Sequence, residues 1–201
     1  DGADDFPELA ISNTANFTVP GGLKIGVNER GQLKAFSGGG VASSYGYLGY
    51  SNGSTGQVTI SGANSKWENS AYLYVGASSS GTITIEDGGR LENGEVSSIG
   101  YLSSATGVVT VTGAESLWNN TGILNVGDGG TGTLNITDGG MVSSPALNFI
   151  GLDNGSTGHA TVAGTGSQWL TPKLYLGERG NGTLNVEAGG VVTNESVFIG
   201  T

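Results

Sequence analysis

Apolar and polar residues alternate in short bursts along this chain, and the bursts return at a fixed interval. Val58-Thr59-Ile60, Ile83-Thr84-Ile85, Val109-Thr110-Val111, Leu134-Asn135-Ile136 and Leu184-Asn185-Val186 each place two apolar residues on one side of an extended segment and a polar residue on the other. A second series does the same just ahead of a glycine: Leu23/Ile25, Leu73/Val75, Leu124/Val126 and Leu174/Leu176. An apolar stripe of helical period is absent, so the pattern predicts short strands and no helix.

The interval defines a repeat. "GQVTISGANSKWENSAYLYVG" from Gly56, "GVVTVTGAESLWNNTGILNVG" from Gly107 and "GHATVAGTGSQWLTPKLYLG" from Gly158 start 51 residues apart. A related set alternates with them, opening "GTITIEDGG" at Gly81, "GTLNITDGG" at Gly132 and "GTLNVEAGG" at Gly182. Each module reads glycine, two-faced strand, glycine-bearing bend, middle strand, then an apolar strand ending in glycine. Such a module is too small to close a core of its own, and stacking in parallel on its neighbours solves the problem. The expected fold is all-β, a parallel β-helix with three short strands and about 25 residues per coil, about eight coils in all, with strands about 4.8 Å apart along the rod. Residues 1–22, with Pro7 and Pro20, read as an atypical N-terminal cap or docking segment that includes a degenerate first coil; residues 23–201 read as tandem coils.

The 51-residue period has a packing explanation. The inward residue of the middle strand reads, coil by coil, Phe17, Val41, Trp67, Leu91, Trp118, Val142, Trp169, Val192. A tryptophan on every rung would overfill the lumen. Alternation with smaller residues lets each indole lie over a gap.

These motifs, G-x-[VA]-T-[VI]-x-G-x-x-S-x-W, then L-x-[VL]-G, then G-T-[LI]-x-[IV]-x-[DA]-G-G, resemble the type V secretion and PEP-CTERM-associated repeat of bacterial autotransporter passenger regions. The resemblance covers Gly56 to Thr201 and is weak over residues 1–55. It implies a right-handed parallel β-helix at the bacterial cell surface or outside the cell, serving as stalk or adhesin. The translocator barrel of such proteins is not among these residues, which reads as a passenger fragment or a different anchor.

Composition narrows the chemistry. Seventeen acidic residues against seven basic ones give a net charge of −10, which argues against nucleic acid as a partner. No apolar run reaches a membrane span, so no membrane insertion is expected of this segment. Cysteine is absent, and neither a metal cluster nor a cofactor motif is legible. The basic residues fall on separate coils and corners. Glu86 and Asp87 recur as Asp138 and Glu187 in equivalent bends and read as turn chemistry. The single histidine, His159, reads as an exposed spacer. A carboxylate pair or an Arg/Lys cluster of the kind a polysaccharide lyase or hydrolase needs is not visible, so no enzymatic activity is expected.

Two outward faces remain. The first strand presents Thr59, Thr84, Thr110, Asn135, Thr161 and Asn185. The third presents Tyr47, Tyr74, Phe149, Tyr175 and Phe198, interrupted by Ser98 and Asn125. Exposed aromatics in line are unusual on a solvated surface and mark the candidate contact stripe. The expected function is a non-catalytic structural and adhesive surface segment whose partner is a surface glycan, a protein or a copy of itself. The alternative is a subunit of a filament built by head-to-tail or lateral assembly, with a polysaccharide-degrading β-helix as a remote third.

Overall fold

The computed structural model describes residues 6–200. It is a parallel β-solenoid without helix, in which every strand pairing is parallel. The first strands of successive coils form one eight-stranded sheet that runs from Glu8–Ile11 through Arg30–Phe36, Thr55–Ser61 and Ser80–Glu86 to Asn181–Glu187. Its register keeps the module glycines opposite one another: Gly31, Gly56, Gly81, Gly107, Gly132, Gly158 and Gly182. The polar column Thr59, Thr84, Thr110, Asn135, Thr161 and Asn185 is likewise continuous.

The second sheet has fourteen strands because the rod changes cross-section along its length. In the first two coils the middle and third strands are fused into single long strands, Asn16–Ile25 and Gly40–Leu48. Pro20 lies where the pairing between these two strands shifts register, between Val19 and Gly22, because proline has no N–H to give to the ladder. From the third coil on, a corner divides the long strand in two, as in Lys66–Asn69 and Leu73–Val75. Part of the atypical N-terminal segment is therefore a true coil; residues 1–5 of it lie outside the described residues.

The lumen holds the predicted ladder in unbroken register: Phe17, Val41, Trp67, Leu91, Trp118, Val142, Trp169, Val192. Val41 and Val142 are buried, and Trp67, Leu91, Trp118 and Trp169 have no exposed surface. Phe17 corrects the expectation of a uniformly buried column, since it is 37% exposed. It belongs to the first described coil and has a stacking neighbour on one side only. The same holds at the other end, where Val192 is partly buried and Val186, Val191, Val197 and Ile199 are exposed.

Two features fix the corners. Between the middle and third strands, inward Ser43, Asn69, Asn93 and Asn120 form a hydrogen-bonded column, in which Ser43 Oγ donates to Asn69 Oδ1 (2.9 Å), Asn69 Nδ2 to Asn93 Oδ1 (2.6 Å) and Asn93 Nδ2 to Asn120 Oδ1 (3.1 Å). Asn69 and Asn120 also donate to the bend carbonyls of Tyr72 and Gly122, so each amide holds the turn that follows it. Buried polar groups are tolerable here because each finds a partner in the next rung. At the end of each coil stands a glycine at positive φ; a Cβ on Gly100 (φ 72°) would overlap the carbonyl of Thr131 in the following coil. The acidic bend residues Asp87 (φ 52°) and Asp138 (φ 53°) occupy left-handed positions and accept from Ser61 and Thr112 of the preceding coil, as turn chemistry predicts.

Candidate contact surface

The third-strand column is in register as Lys24, Tyr47, Tyr74, Ser98, Asn125, Phe149, Tyr175, Phe198. It forms two aromatic stacks. In one, Phe149 and Tyr175 lie 5.0 Å apart, and Tyr175 and Phe198 4.7 Å apart, all near-parallel. In the other, Tyr47 and Tyr74 are 5.4 Å apart, and further rings extend the stack sideways. Tyr47, Tyr74, Phe149 and Tyr175 are half-buried and Phe198 is exposed.

The sideways extension was not legible from the strand pattern. Tyr101, on the bend after Gly100, stacks on Tyr74 with centroids 4.2 Å apart. Tyr72 lies parallel to Tyr74 at 6.2 Å and to Tyr45 at 5.9 Å. Tyr50 packs edge-on against Tyr47 at 5.5 Å. Six of the chain's seven tyrosines thus form one contiguous patch. Tyr45, Tyr50, Tyr72 and Tyr101 are exposed, and Tyr50 and Tyr101, with Tyr47 and Tyr74, line a shallow hollow of about 270 Å³. A signal was present in the sequence: all six lie between residues 45 and 101.

Charge is placed at both ends of the patch. The Lys24 ammonium sits 3.7 Å from the Tyr50 centroid and 5.8 Å from that of Tyr47, a cation–π arrangement. At the other end, the negative charge of the neighbouring Glu95 carboxylate raises the Tyr72 pKa, with its polar pull on the phenol hydroxyl adding to the effect. Burial, followed by the neighbouring Tyr101, Tyr47 and Tyr72 rings and Asp128, pushes Tyr74 up to about 12. Both shifts keep the phenols protonated, so they remain hydrogen-bond donors in ordinary conditions.

Ser98 and Asn125 correct the expectation that they face solvent. Both are buried, because Asp128 folds back over them and accepts from Ser98 Oγ (2.5 Å) and Asn125 Nδ2 (3.1 Å). Burial raises the Asp128 pKa more than these two donors lower it. The interruption between the stacks is therefore a polar plug.

The basic residues are less scattered than their sequence positions suggest. Lys34 pairs with Glu8 across coils (2.8 Å), Arg179 with Asp153 (2.7 Å), and Lys66 and Arg90 are register neighbours. Beside them, the outer face of the middle strands aligns Glu68 with Glu92 along a groove of about 550 Å³ that also includes Pro20, Asn69 and Asn119. Both glutamates are exposed, and Glu68 is ion-paired with Lys66 (2.6 Å). His159 is exposed, as expected. Among the described residues, no group of three or more His, Asp or Glu is placed to share a metal ion, and no helix is long and apolar enough to cross a membrane. Compared with family models, curated proteins and solved structures, the chain finds no match in any of the three.

Proposed function

We propose that this chain is a non-catalytic structural and adhesive segment of an exported bacterial surface protein, and that the tyrosine patch is its contact for a surface glycan. The observation that carries the reading is the gathering of six tyrosines, four of them exposed, on one flank of the rod. Tyrosine combines an apolar ring with a hydroxyl tip, a pairing suited to a partner that is apolar on one side and hydroxylated on the other. The protonated phenols donate, Glu95 accepts and Lys24 donates, which matches a neutral sugar chain. The net charge of −10 disfavours an acidic one. The rod supplies rigidity and projection, and weak contacts add by multivalency.

The groove with Glu68 and Glu92 does not favour catalysis. Acid–base cleavage of a glycoside needs one carboxyl held protonated by its surroundings, whereas both glutamates here stand in solvent and one is ion-paired. The test is binding to immobilised neutral glycans and to whole cells, comparing the wild-type chain with a Tyr45→Ala/Tyr72→Ala/Tyr101→Ala variant whose circular dichroism is unchanged. Loss of glycan binding in the variant supports the reading. Equal binding, or binding only to protein, defeats it.

A further inference from the structure

The tyrosine patch has a second chemistry that does not depend on its role in adhesion. Its rings form a continuous path, Tyr45 to Tyr72 to Tyr74 to Tyr101, in steps of 5.9, 6.2 and 4.2 Å. Every ring on that path is a phenol, and three of the four are exposed. A phenol loses one electron readily if its proton has somewhere to go, and the Glu95 carboxylate stands near the Tyr72 hydroxyl as a base. Tyr175, the seventh tyrosine, stacks on Phe149 and Phe198, neither of which forms a phenoxyl radical. The chain therefore holds one tyrosine cluster able to couple within itself and one isolated tyrosine as a built-in control.

We propose that this patch is a site of oxidative cross-linking, in which Tyr74 and Tyr101 join through their ortho ring carbons to form dityrosine when the protein meets hydrogen peroxide and a haem peroxidase. Each phenol gives up one electron and one proton, and the two radicals form a single carbon–carbon bond. The ortho hydrogens then move to the phenol oxygens as the rings regain aromaticity. The two electrons and two protons released reduce one hydrogen peroxide to two waters. Tyr74 and Tyr101 are the pair chosen because their centroids are the closest in the patch, and the hollow beside them gives the exposed Tyr101 ring room to tilt edge to edge. Radicals formed at Tyr72 or Tyr45 reach that pair by electron exchange along the stack. The product links residues 27 apart in sequence, which ties two neighbouring coils of the rod together.

The purified chain, kept dilute, is treated with a haem peroxidase and hydrogen peroxide. Dityrosine fluorescence is expected in protein that still runs as a monomer under denaturing conditions. Proteolysis is expected to release a linked peptide pair containing Tyr74 and Tyr101, lighter by two hydrogens than the two peptides together. Tyr101→Phe, which preserves the stacking, should lower the monomer fluorescence several-fold, and Tyr175→Phe should leave it unchanged. Fluorescence confined to dimers and larger species, a dominant link at Tyr175, or full monomer fluorescence in Tyr101→Phe would each overturn the proposal.

Discussion

The three lumen tryptophans are equally buried yet chemically unequal, and replacing each with phenylalanine exposes the difference. Trp67, Trp118 and Trp169 all have no exposed surface. Trp67 Nε1 donates to Ser43 Oγ at 2.9 Å, whereas Nε1 of Trp118 and of Trp169 has no partner. Trp→Phe removes a similar volume at each site, a packing loss of about 1–2 kcal/mol at ~0.8 kcal/mol per methylene-sized group. At Trp67 a hydrogen bond goes with it, adding about 1 kcal/mol. At Trp118 and Trp169 an unsatisfied buried donor is deleted instead, which returns about 1–3 kcal/mol. Trp67→Phe should therefore destabilise by about 2–3 kcal/mol, while Trp118→Phe and Trp169→Phe should be close to neutral. Urea unfolding followed by far-ultraviolet circular dichroism measures this, with the slope of the transition checked for constancy among the variants. Ser43→Ala combined with Trp67→Phe completes a double-mutant cycle and should show a coupling of about 1 kcal/mol. Equal losses at all three tryptophans would refute the argument, because packing alone would then account for them.

Other perturbations test the remaining supports. Leu91→Trp would put three indoles on consecutive rungs with Trp67 and Trp118, and should destabilise by about 1–3 kcal/mol through overpacking, read as a lowered urea midpoint. Asn93→Leu removes the acceptor of Asn69 and the donor to Asn120 within the buried column; a loss of about 1–3 kcal/mol is expected, with faster amide exchange at the corner of Asn69 to Leu73. Tyr74 binds its proton more tightly in the folded chain (about 12) than at the ordinary value of 10.0, so its contribution is fully present below pH 10 and is lost as pH rises toward 12. The shift corresponds to ~2.7 kcal/mol before allowance for the ring's partial exposure, so about 1 kcal/mol is expected. Alkaline unfolding should begin later in Tyr74→Phe than in the wild type.

The strand pattern carried the fold because the lumen is the one place where every coil meets the same constraint. Trp67, Trp118 and Trp169 recur every 51 residues because indoles fit on alternate rungs, and a packing rule of that kind prints itself on the sequence. The contact surface was legible only where it lay on the regular strand, at Tyr47, Tyr74, Phe149, Tyr175 and Phe198. Tyr50 and Tyr101 lie outside strands, and Tyr72 precedes one; their proximity depends on how each corner turns. Tyr45 faces out because the second coil keeps one unbroken strand, Gly40–Leu48, where later coils bend. Ser98 and Asn125 misled for a related reason, because alternation gives the side of the strand and is blind to a carboxylate reaching back from the next bend. Phe17 occupies its predicted rung, but register alone does not bury a residue of the first described coil, whose described neighbour lies on one side.

The interstrand hydrogen bonds that join successive coils run along the rod, one ladder above another. Under tension applied at the two ends, the ladders are loaded in series, and the outermost rung yields first while those behind it keep their shape. Each rung that opens frees some two dozen residues, about 80 Å of extended chain replacing about 5 Å of rod. The rod therefore answers a pull as a mechanical fuse, lengthening in quantised steps at nearly constant force, so that anything tied to its ends would be spared the peak load.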